Sequence, residues 1–354
     1  MQEIISKTLE KIQPVSPILL DKAQDHLDSL TKPPGSLGAL EELAKRYVAI
    51  QNKESPTLNK ISTVVFAADH GVTAESISAY PPEVTPQMVT NFLNKGAAVN
   101  VLANHINAEV TIVDIGVNFQ FQSHPNLLDR KIALGTKNFS KEPSMTRSQA
   151  ETSIATGIEI ATESAKNGFD ILTTGEMGIG STTPSSAIFS ILGNTPVEEV
   201  TGRGTGIDDS ALIKKISVIK KGIDLHQPNP DDPIDILAKV GGFEIGGIAG
   251  LILGAAAQKM PIVVDGFISG AGAALALKMS PSAGDYIFPS HRSSEPGHKI
   301  FFELLEQPPL FDLNMRLGEG TGALLAVSLI QSAIKIYNEM ATFQSAGVST
   351  KQTS

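Results

Sequence analysis

The chain has 354 residues, enough for two ordinary domains or one large α/β domain with an added helical piece. A formal charge of -9 argues against a nucleic-acid footprint or an anionic membrane surface, since both need clustered Lys and Arg, and it favours a small-molecule partner. The absence of cysteine excludes disulfides, thiolate nucleophiles and Cys-based metal sites, and 31 glycines with 21 prolines indicate many turns and close backbone approaches.

The N-terminus is acidic and helix-like and lacks the pattern of a signal peptide. The most apolar stretch, Ile245 to Ala257, is too short for a bilayer that needs roughly 20 residues, and reads as a buried helix. Residues 17–29 and 37–52 carry apolar positions at helical spacing, joined by Thr31-Lys-Pro-Pro-Gly-Ser. Short β-branched runs then alternate with helical ones. Strands are predicted at 62–68, 109–116, 170–174, 261–265 and 285–288, and helices near 85–104, 147–167, 181–193, 244–259 and 298–306. This alternation predicts an α/β fold with a doubly wound, mainly parallel sheet. A long helix after Gly322 should pack on the N-terminal helices, and residues 345–354, small and polar, should be poorly ordered.

In such sheets the ligand lies at the carboxyl ends of the strands, so the segments after each strand carry the chemistry. Asp69-His70-Gly71 follows the first strand and leads to Tyr80, Gln87 and Met88, of which the Tyr and the Gln suit a flat aromatic ligand. An Asp-His pair invites a metal reading, but none of the 7 histidines repeats at ligand spacing, so a hydrogen-bonding scaffold is preferred. Gly175-Glu176-Met177-Gly178-Ile179-Gly180-Ser181-Thr182-Thr183 joins a strand to a helix. Such a loop suits a phosphate cradle, in which glycines admit the anion and the helix offers free N–H groups and its positive end; a plain helix cap is the alternative. Neither nucleotide-binding glycine fingerprint is complete.

Gly202-Arg-Gly-Thr-Gly-Ile-Asp208-Asp209 suits a loop folded over a ligand and precedes a helix with Lys214 and Lys215, one of which would reach its phosphate. The paired aspartates suit helix capping better than magnesium. Finally, Ser290-His291-Arg292-Ser293-Ser294-Glu295-Pro296-Gly297-His298 precedes Arg316-Leu317-Gly318-Glu319-Gly320-Thr321-Gly322, where a lone acid sits among glycines before the long helix. Glu319 alone reads equally as helix cap or catalytic base.

Taken together, Thr31-Lys-Pro-Pro-Gly-Ser-Leu-Gly, Asp69-His-Gly, Gly175-Glu-Met-Gly-Ile-Gly, Gly202-Arg-Gly-Thr-Gly, His291-Arg-Ser-Ser-Glu-Pro-Gly-His and Arg316-Leu-Gly-Glu-Gly-Thr-Gly resemble the nicotinate-nucleotide:5,6-dimethylbenzimidazole phosphoribosyltransferase family from about residue 15 to 340. The resemblance implies transfer of phosphoribose from nicotinate mononucleotide to 5,6-dimethylbenzimidazole, giving α-ribazole 5′-phosphate and nicotinate for the lower ligand of cobalamin. It also implies a cytoplasmic homodimer needing no cofactor or metal. A small helical domain (1–30 and 325–354) would accompany a Rossmann-like catalytic domain (31–324). By resemblance Glu319 is the base that takes the benzimidazole N–H proton. Glu176, Gly178, Lys215, Ser293 and Gly318 would hold the phosphoribosyl group, and Tyr80, Gln87, Met88 and Leu317 the benzimidazole. The rival readings are a metal-assisted phosphohydrolase using Asp69, His70 and His291, and a nucleotide-binding regulatory module.

Overall fold

The β-branched runs form the strands of one sheet, most deeply buried at its centre. Strand β1 (Ile61–Ala68) is buried along its whole length, as a central parallel strand covered on both faces must be. The computed structural model describes residues 1–349. Ahead of β1 lie helices α1 (Gln2–Leu9), α2 (Pro17–Ser29) and α3 (Ala39–Gln51). After it come α4 (Val84–Leu93), α5 (Ala98–His105), β2 (Glu109–Gly116), β3 (Leu127–Asp129), α6 (Arg147–Lys166) and β4 (Ile171–Met177). The second half holds α7 (Thr182–Leu192), α8 (Val197–Val200), α9 (Asp209–His226), α10 (Pro233–Val240), α11 (Phe243–Ala257), β5 (Ile262–Val264) and α12 (Phe267–Met279). It ends with β6 (Ile287–Pro289), α13 (His298–Leu305), α14 (Thr321–Glu339) and α15 (Phe343–Ala346).

The sheet runs β3-β2-β1-β4-β5-β6 with every pairing parallel, so the strand order reverses between β1 and β4. This is the doubly wound arrangement expected from the alternation, and its switch point is a crevice at the carboxyl edge. Helices α11 and α12 cover one face, with α6 packed behind α11, while α4, α5 and α14 cover the other, with α3 packed behind α14. The expected contact of the last long helix with the N-terminal ones is present: His26 of α2 lies 4.4 Å, ring to ring, from Tyr337 of α14.

The continuous helix expected over 85–104 is instead two. The chain turns at Asn94-Lys95-Gly96, where Lys95 takes a left-handed φ of 60° and a side chain at Gly96 would strike Asn91 Oδ1 at 2.3 Å. Helix α12 escapes a periodicity search because its Gly- and Ala-rich sequence is buried on nearly all sides, which erases the apolar stripe. Of the tail expected to be poorly ordered, residues 345–346 belong to α15, capped by Thr342, and 350–354 lie outside the described residues.

Candidate functional site

A cavity of ≈ 640 Å³ opens at the carboxyl edge, beside the switch point, between the ends of β4, β5 and β6 and the loop ahead of α14. It collects Tyr80, Met88, Glu176, Gly178, Ser293, Leu317, Gly318 and Glu319 from segments far apart in sequence. A larger open depression of ≈ 1290 Å³, lined by Ser190–Leu192, Pro228 and Pro230, contains none of the motif residues.

Glu319 sits in the middle of three consecutive left-handed residues, with φ of 87° at Gly318, 65° at Glu319 and 99° at Gly320. The two glycines adopt this backbone freely, whereas for Glu319 it costs roughly 1–2 kcal/mol, so surrounding contacts must enforce it. Two contacts do so. The buried Asp265 carboxylate accepts from Gly320 N at 3.2 Å and Ala323 N at 3.0 Å, tying the turn to α14. On the other side the turn lies flat on β4 at Gly175, where a Cβ would stand 2.4 Å from the Glu319 carbonyl oxygen.

The Glu319 side chain is 5% exposed, and its Oε2 accepts from Val99 N at 3.4 Å, in the first turn of α5. Burial raises its pKa; the Val99 N–H pulls it back, and the Asp265 charge adds to the rise. Glu176 is also buried. Desolvation first, then the charges of Glu244, Asp265 and Glu319, push its pKa well above the carboxylate range, although the Glu319 amide offsets part of this. Such surroundings favour the protonated form of a carboxyl, in which it is a hydrogen-bond donor. Gly318 leaves it room, because a Cβ there would fall 2.2 Å from Glu176 Oε1.

The opposite side of the cavity is cationic. Lys215 lies on the buried stripe of α9, with Val218, Ile219 and Gly222, and is 1% exposed. Its Nζ donates to Thr182 Oγ1 at 2.7 Å, in the first turn of α7, and to Gly202 O at 3.4 Å. Among the described residues no carboxylate stands within 4.0 Å of it. Burial lowers its pKa to about 8, with Glu295 opposing. It therefore backs the cavity rather than lining it, and Thr182 carries its polarity to the surface. Glu295 fastens the glycine loop by accepting from Gly204 N at 2.8 Å through Oε1, and Arg316 donates to Gly204 O at 3.1 Å.

At the mouth, Tyr80 is 55% exposed and Leu317 57%, with half-buried Met88 between solvent and interior. Gln87 points elsewhere: one residue from Met88 on α4 is a rotation of about 100°, and it stands exposed outside the cavity lining. Ser293 lines the cavity, and its amide donates to His298 Nδ1 at 2.9 Å. His70 lies behind the cradle against Gly178, with Nε2 at 3.1 Å from Glu244 Oε1 and both side chains buried. Burial lowers the His70 pKa, but Glu244 outweighs it and the net direction is up. Asp69 accepts from Asn118 N at 2.8 Å. The Asp-His pair is thus part of a scaffold, and Asp208 caps α9 through Ala211 N at 2.8 Å, the role preferred for it.

Asp265, Glu244 and Glu295 escaped the sequence reading as site residues. Asp265 had a usable signal, an acid directly after a buried strand and followed by glycine; Glu244, inside an apolar helix, had none. His291 closes the group. It is buried, stacked on Phe311 with ring centroids 6.0 Å apart, and its Nδ1 lies 3.1 Å from Ser290 Oγ, which in turn donates to Asp265 O at 2.9 Å.

A family model described as phosphoribosyltransferase matches residues 12–348. The nicotinate-nucleotide–dimethylbenzimidazole phosphoribosyltransferase of Geobacter sp. (strain M21) is 54% identical over 348 residues, which is 98% of this chain and 100% of that protein. The protein of the same name from Chloroflexus aggregans is 54% identical over 349 residues, covering 99% of each. A crystal structure of the Thermus thermophilus protein of that name superposes with a TM-score of 0.89 at 43% identity, over 95% of this chain and 100% of that one.

Proposed function

This chain belongs to the nicotinate-nucleotide–dimethylbenzimidazole phosphoribosyltransferase family, and from that premise we propose that it moves 5-phosphoribose from nicotinate mononucleotide to 5,6-dimethylbenzimidazole, giving α-ribazole 5′-phosphate and nicotinate in cobalamin lower-ligand assembly. One observation carries the reading: a buried carboxylate of raised pKa, Glu319, presented to a cavity by an enforced left-handed turn.

One benzimidazole nitrogen attacks C1′ of the ribose as the bond from C1′ to the pyridinium nitrogen breaks. The departing electron pair neutralises that nitrogen, so nicotinate leaves as a good leaving group. The other benzimidazole nitrogen passes its proton to Glu319, and the riboside forms neutral. Attack opposite the leaving group inverts C1′ from β to α. A base suited to this step is ionised yet poorly solvated, which the burial of Glu319 supports.

In this reading the phosphate lies at the first turn of α7, with Lys215 and Thr182 supplying positive charge and a hydroxyl beside Gly178, and with Ser293 and Gly318 nearby. Protonated Glu176 donates to the ribosyl group. The benzimidazole lies against Tyr80, Met88 and Leu317 at the mouth, with Gln87 on the neighbouring surface. No helix among the described residues is long and apolar enough to cross a membrane. We place the protein in the cytoplasm on its family resemblance. We assign it as a homodimer whose helical piece comprises 1–30 and 325–354 beside the 31–324 catalytic domain.

The test is a coupled assay. Nicotinate should appear only when a benzimidazole is supplied, with α-riboside in equal amount, and should persist after exhaustive chelation. Release without an acceptor, or activity abolished by chelation, overturns the proposal.

A further inference from the structure

Deepening that reading, and resting on it, we infer that Nε2 of His291 accepts a hydrogen bond from a hydroxyl of the ribosyl ring and is a specificity determinant for the sugar. Its neighbours fix where its proton sits. The Ser290 hydroxyl has one hydrogen, and the Asp265 carbonyl oxygen at 2.9 Å can only accept, so that hydrogen is spent there. The 3.1 Å contact between Ser290 Oγ and His291 Nδ1 is then a bond donated by Nδ1. In the neutral ring this leaves a lone pair on Nε2.

That nitrogen faces the cavity. A methyl group at Gly266 would stand 3.3 Å from Cε1 and 3.5 Å from Nε2, and Gly266 is itself in the lining. Among the described residues nothing hydrogen-bonds Nε2, while the rest of the ring is fixed by the stack on Phe311 and by close contact of Nδ1 with the Gly322 backbone of α14. A rigid acceptor with no protein partner, beside the Asp265 carboxylate, repels a phosphate and a nicotinate carboxylate alike. It matches a hydroxyl donor. The phosphate belongs with Lys215 and α7, and the flat ring with the apolar mouth of Tyr80, Met88 and Leu317. The sugar joins these two ends, and His291 lines the same cavity with Gly266 and Asp265.

The experiment measures kcat/KM for wild type, His291→Phe and His291→Gln with nicotinate mononucleotide and its 2′-deoxy and 3′-deoxy analogues. Phe keeps the ring volume and the Phe311 stack without an acceptor, whereas Gln restores an acceptor near Nε2. Wild type should lose about 10- to 100-fold on one deoxy analogue. His291→Phe should show the same loss on the ribonucleotide and no more than about twofold further loss on that analogue, and His291→Gln should recover part of the preference. Equal wild-type rates on all three nucleotides overturn the inference without any variant. So does a His291→Phe enzyme that discriminates as strongly as wild type. A wild type that forms no riboside from the ribonucleotide overturns the activity reading, and the hydroxyl assignment falls with it.

Discussion

On one side of the cavity, Glu319, Glu176 and Asp265 crowd together out of water, and all three have pKa values pushed up. On the other, Lys215 is equally buried, and the same desolvation pushes its pKa down to about 8. Burial thus acts on both sides against charge, but with opposite chemical outcomes. The acidic side gains a held proton on Glu176 and a carboxylate ready to accept one on Glu319. The basic side gains a cation whose missing counter-ion a substrate anion can supply. The sides also differ in backbone. The acid turn is strained and enforced by Asp265 and Gly175, whereas Lys215 projects from an ordinary helix.

The comparison is broken most sharply at Glu319. Glu319→Gln should lower kcat by about 10² or more while nucleotide affinity, measured by calorimetry, stays nearly unchanged. Because the Glu319 pKa is raised in the free protein, the acid limb of the kcat/KM profile should fall at a higher pH than for an ordinary glutamate, as the base protonates. On the other side, Lys215→Met should raise KM for the nucleotide about 10-fold with less effect on kcat, because its charge acts on the phosphate from behind Thr182. In wild type the same affinity should weaken as pH rises through about 8, where free-enzyme Lys215 gives up its charge. A nucleotide KM flat across that range would remove Lys215 from the phosphate.

Smaller effects test how far backbone strain matters. Gly175→Ala places a Cβ 2.4 Å from the Glu319 carbonyl, and should cost roughly 1–3 kcal/mol of stability in denaturant titration while lowering kcat as the turn shifts. Gln87→Ala should do least: an exposed side chain outside the cavity should leave the benzimidazole KM within about twofold, as for most surface substitutions.

The sheet was legible because buried parallel strands are runs of β-branched residues, as in Ile61–Ala68 and Glu109–Gly116. Glycines marked the Glu319 turn for the same reason, since a repeated left-handed backbone demands them. What escaped was whatever lacked a period or a neighbour in sequence. Helix α12 has no polar face to betray it, and Asp265 acquires meaning only when β5 delivers it to the N-terminus of α14, 55 residues further along, at Gly320. The choice of Lys215 over Lys214 came from the family resemblance, and the structure gives its reason: Lys215 falls on the buried stripe of α9 with Val218, Ile219 and Gly222.

One feature of the fold bears on how substrates come and go. Helices α6 and α11 are pressed together so closely that a Cβ at Gly157 would meet Gly247 O at 2.0 Å, and one at Gly250 would meet Ile154 O at 1.8 Å. Helix α6 carries the chain into β4, and α11 carries it toward β5 while lying across β1, β2 and β4. Helix α11 thus spans strands on both sides of the switch point, and α6 is locked to its outer side. A clamshell motion, opening the crevice by swinging one half of the sheet from the other, would have to part backbone from backbone along several turns. Traffic through the cavity falls instead to its rim, to the tether of Ser78 and Ala79 on Thr205 and the Arg316 contact with Gly204. Opening at the rim needs only a few exposed polar contacts to part, whereas opening along the helix seam would need packed backbone to separate.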